Sequence, residues 1–151
     1  MRRPVRSPRG LTLIESMVVL AVMAILATQA APAFNSFLAA SRLRGAASQL
    51  TTDLRNARSE AVTRNTEVTV TFSATGYSLD SGGTTLRSVV LAGGTTISSG
   101  NGTTVTFTRR GILDPVSSAA VTLANSSHSL QVTLHPLGRV QCEVLSGNAS
   151  C

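Results

Sequence analysis

The 151 residues contain no lysine and no tryptophan, one tyrosine, four phenylalanines and two cysteines. Without lysine there is no P-loop lysine and no Schiff-base chemistry. So few aromatics leave few large anchors, so a folded domain here must be thinly cored. The two histidines, His128 and His135, stand seven apart, so on one regular strand they would face opposite ways. With only two cysteines besides, no metal site is expected. G-x-S-x-G, H-E-x-x-H and C-x-x-C are all absent. Gly100-Asn101-Gly102 lacks the third glycine and the strand-to-helix setting of a dinucleotide loop, and reads as a turn. No enzyme and no cofactor are expected. Acids are scarce too: seven against thirteen arginines, a formal charge of +6. Four of those arginines crowd into residues 2–9, and beyond them nine face seven, a net of +2. Bulk charge therefore gives no argument for a polyanion partner.

What the chain does have is concentrated at its start. Arg2, Arg3, Arg6 and Arg9 precede Gly10, and an apolar run opens at once with Leu11 and continues to Ala31. Counted from Leu11 the run is about 21 residues, enough to span a hydrocarbon core as a helix. An ordinary secretory signal loses its apolar segment on cleavage. Here the charges precede the glycine and the apolar segment follows it. A single carboxylate, Glu15, interrupts the run, and a charge in an apolar helix costs about 3 kcal/mol on insertion scales, so it needs a partner or a task. A plain membrane anchor would leave both Gly10 and Glu15 unexplained. This arrangement resembles the class III signal of the type IV pilin superfamily, although most members have phenylalanine where this chain has Leu11. The resemblance implies cleavage after Gly10 by a prepilin peptidase and methylation of Leu11. It also implies that Glu15, at the fifth mature position, guides assembly by pairing with a neighbouring subunit's terminal amine. The competing reading of Glu15 is an acid favoured by the helix macrodipole.

From residue 11 to about 65 the pattern reads as one long helix. Pro32 removes a backbone donor and clashes with the preceding turn, so a kink or a locally melted turn is expected there. Many type IV pilins also have a proline at this position. Beyond it the texture becomes amphipathic. Leu43, Ala47, Leu50, Leu54, Ala57 and Ala61 recur at spacings of three and four and make one face. Glu60 and Arg64 form an i,i+4 pair. After Asn65 the period becomes two, with β-branched residues at 67–72, and short runs follow at 77–80, 86–91, 95–98, 103–109, 120–124, 129–134 and 139–145, separated by glycine-rich turns. The expected fold is α+β: a long N-terminal helix packed on a C-terminal antiparallel β domain of two small sheets, as in pilins. The expected organisation is a leader at 1–10, an assembly or transmembrane half-helix at 11–34, an amphipathic half at 35–65, and a β domain at 66–151. The positive-inside rule puts the leader in the cytoplasm and the β domain in the periplasm. The pilin resemblance then carries the protein to the pilus and cell surface.

An exported protein meets an oxidising compartment, where Cys142 and Cys151 are expected to bond and tie the C-terminus to the last strand. Just upstream, Leu137-Gly138-Arg139-Val140-Gln141-Cys142 is similar to the C-terminal signature of the FimT/GspH group of minor pilins and pseudopilins. Some FimT-like members bind DNA through arginines there, in support of natural transformation. Only Arg139 matches; Gln141 stands where the fuller pattern has a second basic residue. Arg109 and Arg110, before Gly111, could add phosphate contacts if the fold brings them near. Otherwise these arginines are solvated charges that hold turns. The resemblance implies a FimT-like minor pilin, with other minor and major pilins and an inner-membrane assembly platform as partners, and DNA as a further candidate. The alternative is a GspH-like pseudopilin of a type II secretion system.

Overall fold

The computed structural model describes residues 12–147 and 151, and the side chains of all of these except 29–31. Gly10 and Leu11, the expected processing positions, lie outside the described residues. The chain divides into two compact units, Met1–Asn35 and Ser36–Cys151.

One helix, α1, runs Leu13–Thr63. Thr12 caps it: its Oγ1 accepts from the Glu15 amide at 3.3 Å, a first-turn donor that would otherwise lack an intrahelical partner. Pro32 lies inside the helix, which continues on both sides of it. The melted turn that a mid-helix proline can cause is therefore not present. Asn65, with φ 52°, and Thr66, whose amide bonds to Ala61 O, close the C-terminal end. In the first unit the apolar side chains from Leu13 to Leu26 are half or more exposed, and the helix carries an 18-residue stretch of mean hydropathy 2.0. By length and composition it can cross a membrane.

In the second unit the helix buries one stripe: Ala40, Leu43, Ala47, Leu50, Leu54, Ala57 and Ala61. The spacing is that of the amphipathic pattern, and it makes the helix a ridge of the core. Among the described residues nine strands follow: β1 Val68–Ser73, β2 Gly76–Ser81, β3 Thr84–Val90, β4 Thr96–Ser99, β5 Thr104–Phe107, β6 Leu113–Asp114, β7 Ala119–Ala124, β8 Ser129–Leu134 and β9 Val140–Ser146. They form a five-stranded sheet, β3-β2-β1-β5-β6, and a four-stranded sheet, β4-β7-β8-β9, with every pair antiparallel. The alternation works as strand geometry requires. Val68, Val70 and Phe72 of β1 and Leu130, Val132 and Leu134 of β8 point into a single core shared with the helix stripe. The two-residue β6 has no periodic signature in the sequence; it exists because Thr106 and Phe107 find partners in Asp114 and Leu113.

Candidate functional site

The expected arginines lie in two hairpin turns. After β5 the chain turns through Arg109-Arg110-Gly111. The turn is closed by Gly111 N–H to Thr108 O at 2.8 Å and by Thr108 N–H to Ile112 O at 2.9 Å. Between β8 and β9 the turn runs Pro136-Leu137-Gly138. It is closed by Gly138 N–H to His135 O and by His135 N–H to Arg139 O, both at 2.8 Å. Gly111 and Gly138 have φ of +71° and +75°, a conformation that only glycine adopts at little cost.

The fold presses these two turns together. A Cβ on Gly138 would overlap the carbonyl oxygen of Gly111 and lie 2.6 Å from Arg58 Nε, so the close approach of the turns needs glycine at 138. Arg58 stands beside Ala57 on α1, at the edge of the buried stripe. Its Nε donates to Gly111 O at 2.8 Å. Leu113 N–H donates to Pro136 O at 2.9 Å and joins the two sheets at the same place. Arg110 and Arg139 are each one residue from the touching glycines, and Arg109 is two away.

Arg109, Arg110 and Arg139 are exposed and make no ion pair or side-chain hydrogen bond among the described residues. Arg110 borders a hollow of about 500 Å³ with Arg55, Arg58 and Ser59 of the helix. Arg139 borders another of about 480 Å³ with His135, Pro136 and Leu137. Gln141 is used inside the turn, hydrogen-bonded to His135 Nε2. The site is therefore a set of exposed guanidinium groups, unpaired among the described residues, on two turns that touch. It has the chemistry of an oxyanion surface.

The other expected positions fall elsewhere. Glu15 occupies the first turn of α1, where its backbone amide is capped by Thr12. Cys142 and Cys151 form a disulfide with Cα atoms 5.8 Å apart. It anchors Cys151 to β9, and both cysteines border a hollow with Ser48, Thr52 and Arg55. His128 and His135 flank β8, and no group of metal-ligating side chains occurs among the described residues.

One polar cluster has no motif in the sequence. Asp53 sits within the buried helix stripe at 3% exposure. Tyr77 OH donates to its Oδ2 at 2.7 Å, and Arg87 Nε lies 3.2 Å from the same oxygen. Burial, reinforced by the bond to Asp53, pushes the Tyr77 hydroxyl far above its ordinary range. The signal was available. An aspartate three residues after Leu50 and four before Ala57 lies on the buried face, and such a carboxylate demands partners. Those partners come from β2 and β3, and nothing in the sequence pointed to them. The cluster fastens helix to sheet and leaves the arginine turns on the helix's other flank.

The family described as type II transport protein GspH matches residues 46–138. The prokaryotic N-terminal methylation motif matches residues 5–28. Among solved structures the chain is similar to the type IV minor pilin FimU of Pseudomonas aeruginosa strain PAO1. In its P21 crystal form the identity is 24%, with 68% of this chain and 89% of that chain covered and a TM-score of 0.59. In its P65 form the identity is 24%, with 66% and 90% covered and a TM-score of 0.54. No curated protein sequence matches the chain.

Proposed function

Because this chain belongs to the family of type II transport protein GspH, we propose that it works as a FimT-like minor type IV pilin. It is made as a prepilin, cut after Gly10, methylated on Leu11 and held in the inner membrane with residues 36–151 in the periplasm. It is then assembled into a pilus at or near the tip. The observation that carries this reading is the methylation motif at residues 5–28, laid over a helix whose apolar side chains are exposed. Ten large apolar residues from Leu13 to Leu26 are exposed there. At about 1.5–3 kcal/mol for each one buried, lipid or a bundle of like helices offers about 15–30 kcal/mol. Glu15 supplies what apolar packing lacks, a single register. Its carboxylate is costly among apolar neighbours until a subunit's terminal amine pairs with it. The work is structural, as it is for pilin-family proteins generally, and no catalytic step is involved.

The arginine turns give the β unit a second task, contact with DNA during uptake. Three exposed guanidiniums on touching turns supply phosphate contacts without sequence preference. Several subunits would raise a weak single-site affinity by avidity.

The family description also supports an alternative, a minor pseudopilin of type II secretion. Deleting the gene and assaying three phenotypes separates the two. Loss of piliation and of DNA uptake, with exoprotein export intact, is the expected result. Export lost with pili intact would refute the pilus assignment. Purified wild-type protein that fails to retain DNA at low salt would remove the DNA task and leave a scaffold subunit.

A further inference from the structure

The positive surface does not end at the turns. The two flanks of α1 in the second unit differ in charge. On the flank facing β2 and β3 two arginines meet carboxylates: Arg87 lies 3.2 Å from Asp53, and Arg64 pairs with Glu60, while Arg42 packs on Gly93. On the opposite flank Arg55, Arg58 and Arg110 surround the hollow of about 500 Å³ together with Ser59 and Thr63. A second hollow, about 320 Å³, shares Arg55 and is edged by Ser48, Thr51 and Thr52. Among the described residues no acidic side chain lines either. Arg55 is exposed and makes no ion pair or hydrogen bond among the described residues.

We propose that this helix flank is a groove for one phosphodiester strand, continuous with the arginine turns and with Arg55 as its central contact. The inference rests on the DNA reading of the turns and extends it to helix residues that no motif marks. From Ser48 to Thr63 the helix rises about 22 Å. One strand of a duplex presents a phosphate about every 3.4 Å of axis, so about six phosphates lie along that length. Thr52 Oγ1 donates to Ser48 O and Thr51 Oγ1 is buried, so Ser48, Ser59 and Thr63 are the hydroxyls left to donate single hydrogen bonds to phosphate oxygens, and arginines supply bidentate, charge-assisted ones. Among the described residues no aromatic side chain borders either hollow, so bases have no stacking platform and the groove reads backbone alone. The competing occupant is an acidic protein segment. A row of short donors beside arginines suits evenly spaced oxyanions better than carboxylates borne on side chains of differing length.

The test uses the full chain in zwitterionic detergent, with fluorescent oligothymidine and a mixed-sequence duplex across a salt series. Arg55→Ala should weaken binding about five- to eightfold near 0.1 M salt and make the log–log salt slope shallower by about 0.7 for the single strand or about 0.9 for the duplex. Arg55→Lys should restore the slope. Arg139→Ala that weakens binding while Arg55→Ala changes neither affinity nor slope would overturn the groove and leave the turn site standing. Displacement of DNA by polyglutamate as effectively as by polyphosphate would overturn it in favour of an acidic protein partner. Wild-type chain that binds neither probe at low salt would overturn the groove together with the DNA reading beneath it.

Discussion

Tyr77 gives the sharpest test of how helix and sheet are held together. Its hydroxyl donates to Asp53 Oδ2 at 2.7 Å in a buried setting, and Arg87 approaches the same oxygen. Ionising Tyr77 would place a phenolate against a carboxylate with little water nearby. Its proton is therefore held more tightly in the folded chain than in the unfolded one. The stability this contributes is fully present below about pH 10, where the unfolded tyrosine also keeps its proton. It is lost as pH rises beyond that, at about 1.4 kcal/mol per pH unit while the folded Tyr77 stays protonated. Between about pH 10 and 11.5 the loss is about 2 kcal/mol. Composition makes this limb unusually clean. There is no lysine, the two cysteines are bonded to each other, and Tyr77 is the sole tyrosine, so in this range no other side chain is set to titrate. Urea unfolding of residues 36–151, followed by circular dichroism at stepped pH, should show the decline. Tyr77→Phe should flatten it, and at neutral pH should itself cost about 1.5–3 kcal/mol by leaving Asp53 one partner short. Near-ultraviolet tyrosinate absorbance reads the same group directly. A folded-state midpoint near the ordinary tyrosine value, or an alkaline limb equally steep in Tyr77→Phe, would refute the reasoning.

Replacing both Cys142 and Cys151 by serine should lower stability by about 2.5 kcal/mol, as expected for a loop of this length. A urea midpoint unchanged from the oxidised wild type would show that the bridge does not constrain the unfolded chain. Two glycines should respond in opposite directions. Gly45→Ala, in an exposed helical position with open space around it, should stabilise by about 0.5–1 kcal/mol. Gly138→Ala, at positive φ and against the Gly111 carbonyl, should destabilise by about 2 kcal/mol or more and weaken DNA retention by parting the turns. Equal thermal midpoints for the pair would contradict the packing described. Glu15→Val should leave the melting of residues 36–151 untouched and abolish incorporation into filaments, scored by immunoblot of sheared pili. Normal incorporation would show that Glu15 is only a first-turn acid.

Much of this protein was legible from residue order alone. The helix stripe at Leu43, Ala47, Leu50, Leu54, Ala57 and Ala61 is a local pattern of period 3.6, and all six are buried. The strand runs at 129–134 and 120–124 were equally clear, because alternation and glycine punctuation are properties of neighbouring residues. So was the N-terminal signature, where charge, glycine, apolar run and Glu15 all stand within a few positions. Other features depend on residues far apart in the chain. Asp53 needs Tyr77 and Arg87 from two strands, and the very short β6 exists only through pairing with β5. The sequence offered Arg109, Arg110 and Arg139 as separate candidates and had no means of saying whether they meet. Arg58 could be read only as lying off the helix stripe. Tertiary structure decided that Arg58 reaches Gly111 O and that Gly111 and Gly138 touch, because Gly138, without a side chain and at positive φ, lets its turn approach the Gly111 carbonyl more closely than a Cβ there would permit.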